Sequence, residues 1–238
     1  PAGPAVEIVP FLVAREVPVM TGGEAREEIL SRIRAALAAS PPPAGAGVPR
    51  EYAAAVPAGT DVVALFAERA GEYRATVQQV TAADLPAAVA AALRGRSVRG
   101  VAVPAGLPAA WLAELGPEIT VAVDDPPLPV RDLDRTDAVL TAAALAVAET
   151  GTVILDAGPD QGRRALSLLV DFHVCVVRTD QVVGTVPEAM ARVPADRPQT
   201  WISGPSATSD IELNRVEGVH GPRSLHILLV SGADPAGE

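Results

Sequence analysis

The stretch GPSATSDIELNRVEGVHGP, Gly204 to Pro222, holds the densest set of side chains able to do chemistry. Ser206, Thr208 and Ser209 supply hydroxyl donors, Asp210 and Glu212 carboxylates, and His220 an imidazole that changes charge near neutral pH. Gly204, Pro205 and Gly221 leave bare backbone that a ligand can approach, and Arg223 offers a fork matched to carboxylate or phosphate. Hydroxyls beside the free amides of a helix start suit a small anion. Asp210 and Glu212 weigh against a strongly anionic ligand unless they turn away. Ser209-Asp210-Ile211-Glu212 also fits a capping box, and Gly218 a helix stop, so a strand, a turn and a two-turn helix explain the same residues without any ligand. The residues alone leave both readings open.

A second stretch, Ala148 to Leu155, places Glu149 before Thr150-Gly151-Thr152. Glu149 and His220 are the candidate catalytic residues, Glu149 as base or nucleophile and His220 as proton carrier. The turn at Thr150, Gly151 and Thr152 is expected to face the Gly204–Pro222 stretch across a cleft. A ligand carboxylate would then meet His220 and Arg223. On this reading bulky replacements at Gly204 or Gly221 abolish binding while leaving the melting temperature near the parent's. The competing reading is a helix that stops at Gly151 with Glu149 exposed. Arg163 and Arg164 are further anion candidates, or a plain surface pair.

Several chemistries lack their residues. One cysteine cannot make a four-thiolate iron–sulfur site, and the sequence carries no ligand cluster suited to zinc, so no metal site is expected. Cys175 lies in an apolar run and reads as a small buried hydrophobe. Serine-hydrolase, zinc-protease, EF-hand, P-loop and dinucleotide-binding signatures are absent. A net charge of −10 argues against nucleic acid and anionic membrane surfaces as partners. No apolar run approaches the ~20 residues of a membrane span, and a cytoplasmic location is expected.

The elements that must position these residues follow from hydrophobic period. Ile29, Ile33 and Leu37 recur at helical spacing over Glu24–Ala39, and Pro41-Pro42-Pro43 ends that helix. Residues 1–19 read as an upstream or disordered extension, 20–60 as an N-terminal helix with a Pro/Gly-rich linker, and 61–238 as an α/β domain. There, helices at 61–70 (capped by Thr60), 81–93, 108–115, 162–169 and from Thr185 alternate with short strands. The strands are expected at 75–80, 98–103, 119–123, 138–141, 152–155, 172–177, 181–183, 201–203 and 225–230. An alanine-rich helix is expected to follow the 138–141 strand as far as Ala148. Short strands between helices indicate a largely parallel sheet, whose ligands sit at strand-to-helix loops.

EEILSRIRAAL, AETGTVIL, GRRALSLLVDFHVCVVRTDQVVGTVPEAM and WISGPSATSDIELNRVEGVHGPRSLHILLV together resemble the LUD-domain family. The resemblance covers most of residues 20–232, with Val170 where the family usually has proline. It implies a three-layer α/β/α fold like the ribose-5-phosphate isomerase, glucosamine-6-phosphate deaminase and CoA-transferase group. It also implies a cytoplasmic accessory subunit that works with two partner proteins in oxidising L-lactate to pyruvate; the small carboxylate or phosphate ligand is read from the residues of the Gly204–Pro222 stretch, not from the resemblance. The iron–sulfur clusters are expected on the partners and no cofactor on this chain, in agreement with its single cysteine. Two other classes stay open. One is a freestanding enzyme, of sugar-phosphate type or with Glu149-Thr150-Gly151 acting like the Glu-Asn-Gly of CoA transferases. The other is a regulatory metabolite-binding module. The Ile29/Ile33/Leu37 stripe would dock a partner, a second copy, or its own domain.

Overall fold

The computed structural model describes residues 22–39, 55–208, 216–217 and 221–232, with backbone only at 207–208 and 216–217. The expected extension at 1–19 and most of the 40–60 linker lie outside these residues. The chain forms two units, Pro1–Glu51 and Tyr52–Glu238. In the first, helix α1 (Gly22–Ala39) carries mostly good helix formers after its two opening glycines, and an Arg32–Glu28 pair one turn apart at 2.8 Å. Ile29, Ile33 and Leu37 are exposed on it.

The second unit opens with α2 (Val62–Glu72), then β1 (Thr76–Thr81), α3 (Leu85–Arg94), β2 (Gly100–Val103) and β3 (Thr120–Val123). A short 3₁₀ turn, Ala109–Leu112, links β2 to β3. The chain continues through α4 (Val130–Leu133), β4 (Ala138–Ala142), β5 (Leu145–Val147), β6 (Thr152–Leu155), α5 (Arg164–Leu169) and β7 (Phe172–Arg178). It closes with β8 (Val182–Val183), α6 (Val186–Arg192), β9 (Thr200–Ile202), β10 (Ala207–Thr208), β11 (Val216–Glu217) and β12 (Ser224–Ser231). The six-stranded sheet runs β1-β12-β7-β4-β2-β3, every pair parallel. This is the expected α/β architecture with a parallel sheet between helices.

Alternation along the central strands builds two cores. Leu140, Val174, Val176, Leu228 and Val230 point to one face and pack with Val89 and Leu93 of α3 and with Trp111. On the other face Cys175, Val177, Ile227 and Leu229 meet Phe66 and Ala70 of α2. There too Val139 meets Leu133 of α4 and Leu166 of α5. Both faces of β4 and β7 are covered, which is why these strands read as unbroken apolar runs.

Three local expectations are corrected. Residues 142–148 are not a helix: β5 lies there, in a second sheet ordered β8-β5-β6-β9. Alanine's helix preference loses to burial, since Ala146 and Ala148 pack between the two sheets and Val147 meets Ala189 of α6. The N-cap of α2 is Asp61, whose Oδ1 accepts from the Val63 and Ala64 amides at 3.1 and 3.0 Å. The Thr60 hydroxyl instead donates to the Pro57 carbonyl. Finally, Val216–Glu217 pairs antiparallel with Ala207–Thr208, so the helix expected from Asp210 does not run to Gly218. Residues 209–215 lie outside the described residues.

Candidate functional site

The residues of the expected site separate into distinct places. Gly204, Pro205, Ser206 and Gly221 line one cleft of ≈ 280 Å³ with Ser203, Arg164 and Ser167. The Ser206 amide donates to the Pro222 carbonyl at 2.8 Å, which folds the two ends of the stretch together. The Thr150-Gly151-Thr152 turn does reach this loop: the Thr150 and Thr152 hydroxyls lie 2.7 Å apart, and Thr152 lies 2.7 Å from the Ser203 hydroxyl. Two glycines are held by packing. A Cβ on Gly151 (φ 58°) would meet the α2 backbone at Arg69 and Ala70, and one on Gly204 (φ 78°) would overlap the Tyr73 carbonyl. A larger side chain at Gly204 therefore disturbs the fold before it disturbs a ligand, contrary to the expectation of an unchanged melting temperature.

Arg223 is elsewhere. It faces Asp171 at 3.5 Å and lines a separate cavity at the amino-terminal edge of the main sheet. Glu149 is exposed on its turn. Ser209, Asp210 and His220 lie outside the described residues, as does the Thr208 side chain. Arg163 is committed within the fold, forking onto Asp124 at 2.8 and 2.9 Å and onto the Leu128 carbonyl. Burial pushes the Asp124 carboxyl up, but hydrogen bonds from Arg163 and the Leu128 amide, with the guanidinium charge, hold it below the usual carboxylate range. Arg164 turns to the cleft.

Two buried groups sit under the sheet's second face. His173 is fully buried, its Nε2 2.8 Å from the Thr141 hydroxyl and its Nδ1 without a partner. Burial holds its imidazole neutral, down to about 4. Burial likewise pushes the Cys175 thiol up to about 12, a bond from Thr141 opposing and the Asp160 charge adding, so it is no nucleophile at neutral pH.

The strand order marks another place for a ligand. The connection from β2 leads outward to β3, and that from β4 leads the other way to β7, so the carboxyl ends of β2 and β4 flank a topological switch point. A turn at residues 156–162 covers it. The Gly106 amide donates to Pro159 and the Ala142 amide to Asp160, both at 2.9 Å. The turn holds itself through Gly158 N–H to Asp156 Oδ1 (3.0 Å) and Asp156 N–H to Gln161 Oε1 (2.6 Å).

Beside this turn, at the carboxyl ends of β4 and β7, a cavity of ≈ 410 Å³ is lined by Arg178, Arg192, Arg197, Asp156, Asp160 and Gln181 among others. Arg197 pairs with buried Asp156 at 3.1 Å and Arg178 with Asp180 at 3.2 Å. Arg192 has no ion-pair partner among the described residues. Gln181 Nε2 donates to the Ala143 carbonyl at 2.8 Å, and its Oε1 accepts from the Arg178 amide. Three guanidinium donors, two carboxylates and fixed amides can hold a small anion that also carries a hydroxyl. Arg178, Arg192 and Arg197 form no motif with Asp156 and Asp160 in the sequence, which is why they were not legible as a site. The usable signal was Asp156-Ala157-Gly158-Pro159-Asp160, a turn-forming run directly after a strand.

Comparison with known proteins places this geometry among relatives. The LUD domain family model matches residues 130–230, from α4 to β12. Lactate utilization protein C of Deinococcus radiodurans is 51% identical over 211 residues, covering 87% of this chain and 96% of that protein. The protein of the same name from Bacillus subtilis is 29% identical over 110 residues, 43% of this chain and 45% of that one. A crystal structure of a DUF162 family protein from Deinococcus radiodurans is 47% identical with a TM-score of 0.59, covering 72% of this chain and 96% of that chain. With a relative at half identity matched over nearly its whole length, the chain belongs to the LUD-domain family.

Proposed function

We propose that this chain serves lactate utilization in the cytoplasm as a substrate-holding subunit, binding the carboxylate of a small 2-hydroxy or 2-oxo acid in the arginine-lined cavity. The observation that carries this reading is the set of three arginines lining one cavity at the carboxyl ends of β4 and β7, in a chain of net charge −10. The name lactate utilization protein C, borne by the 51% identical relative, supports the choice of acid. Among the described residues no helix is long and apolar enough to cross a membrane.

In this reading the unpaired Arg192, with Arg178 or Arg197, forks onto the carboxylate, and Asp160 or Asp156 accepts from the substrate hydroxyl. Converting lactate to pyruvate removes two electrons and two protons, so an electron acceptor must stand beside the bound acid. The chain's single cysteine is buried against Thr141 and the Ala142 carbonyl. In this reading the acceptor is an iron–sulfur cluster carried by a partner protein, and this subunit presents the substrate to it.

Thermal unfolding with L-lactate, pyruvate and acetate tests the proposal, since a ligand of the native state raises the melting temperature with concentration. L-lactate or pyruvate should stabilise more than acetate, and Arg192→Ala, an exposed change, should remove the shift while Arg164→Ala keeps it. Loss of the shift in R164A alone would move the acid to the Ser206–Gly221 cleft. No shift in the parent would overturn the binding assignment. Affinity capture of the tagged chain from cells should bring down an iron–sulfur protein with its visible absorbance.

A further inference from the structure

The cavity at the amino-terminal edge of the main sheet is the larger one, ≈ 490 Å³, and the lactate reading makes no use of it. Arg96, Arg135 and Arg223 line it with the hydroxyls of Ser97, Thr136 and Ser224. Three carboxylates share the wall, but two are engaged. Asp137 Oδ2 accepts from the Arg99 and Gly100 amides at 2.8 and 3.0 Å, at the start of β2. Asp171 faces Arg223 at 3.5 Å. Asp134 is the third, with no side-chain partner among the described residues.

Arg96 and Arg135 have no carboxylate partner among the described residues. Arg96 is nonetheless held in place: its guanidinium lies 5.1 Å from the centre of the Phe172 ring, and Nη1 donates to the Ser224 hydroxyl at 2.8 Å. A fork fixed on an aromatic face loses little freedom when it captures an anion, and only one of its five N–H groups is engaged. Its charge is felt within the strands: after burial itself, Arg96 is the second cause holding His226 of β12 below its ordinary value.

Ser97 adds an independent observation. It is left-handed, φ 55°, at the end of α3, where its amide donates to the Arg94 carbonyl and the Val98 amide to Leu93. That helix-ending conformation favours glycine. A serine there keeps a strained backbone and gains a hydroxyl on the cavity wall.

We propose that this cavity is a second ligand site, which takes a phosphoryl group through Arg96 and Arg135 with Ser97 as an added donor. The Thr136 hydroxyl already donates to the Asp132 carbonyl at 2.8 Å, but two guanidinium forks and the Ser97 and Ser224 hydroxyls still offer more N–H and O–H groups than the two oxygens of a carboxylate can accept. A phosphoryl dianion accepts from several directions, and the volume leaves room for an organic part. The group can come from a phosphorylated metabolite or from free phosphate.

Calorimetric titration of the full chain with inorganic phosphate, adenosine monophosphate and a sugar monophosphate tests this. At least one should bind saturably at one site per chain. Arg135→Ala, an exposed change, should weaken binding at least tenfold, and Arg192→Ala in the other cavity should leave it unchanged. Ser97→Gly should weaken binding several-fold while holding or raising the melting temperature, which a purely structural serine would not do. Tighter binding of an organic phosphate identifies a metabolite site, and equal affinities identify the phosphate itself. Absence of saturable binding for all three, or parental affinity in both R135A and S97G, would overturn the proposal. So would loss of binding in R192A with R135A unaffected.

Discussion

At Gly204 the chain turns through a left-handed φ of 78° with the Tyr73 carbonyl directly behind its Cα. Gly204→Ala combines that backbone cost with an overlap against main chain, and we expect a loss of more than ~2 kcal/mol. A denaturant midpoint matching the parent's would contradict this. Arg163 makes a similar point. Its fork is the main compensation for the Asp124 carboxylate, whose side chain is 6% exposed, so Arg163→Ala should destabilise by about 3 kcal/mol, read by the same denaturation. Arg163 and Arg164 are adjacent in sequence and were indistinguishable there, yet one is structural and the other lines a cleft. The sequence shows which side chains can meet an anion; which of them are already spent is settled by residues as distant as Asp124.

The α2 start separates two candidate caps on adjacent residues. Only Asp61 accepts from helix amides, so Asp61→Ala should cost about 1 kcal/mol and Thr60→Ala clearly less, measured by thermal unfolding. The parallel strands were legible because burial on both faces writes long Val/Leu/Ile runs into β7 and β12. In the second sheet the short strands β6, β8 and β9 were legible as well, from their Val, Ile and Trp residues. Only β5 was not: it is three residues long, and it is built partly from alanine, whose local preference is helical. That sheet matters to the site because its strands frame both the arginine-lined cavity and the Ser206 cleft. The expected site was thus half legible: the Thr150–Thr152 turn does bond to the loop before Gly204, but Arg223 lines a separate cavity with Asp171.

For the molecule as a whole, His173 sets a pH dependence. Its folded value of about 4 lies below the 6.5 of the exposed group, so between those values the unfolded chain binds a proton that the native chain refuses. Stability should therefore fall as pH drops from about 6.5 to about 4, by on the order of 3 kcal/mol, and level off below. Guanidinium unfolding across this range should show the slope, and His173→Gln should flatten it. An equal slope in both proteins would assign the effect to other groups.

The position of β12 has a consequence for how the protein is made. Among the described residues strand β1 pairs on one side only, with β12, and the bond from Ser231 to the Val80 carbonyl spans 151 residues of chain. While a ribosome is still adding the residues between them, β1 has no neighbour and β7 shows an open edge. Both are templates for pairing with another nascent chain until residue 231 has emerged. Synonymous codon changes that slow translation between β7 and β12 should therefore lower the soluble yield without altering the purified protein. A chaperone that shields exposed strands should restore it.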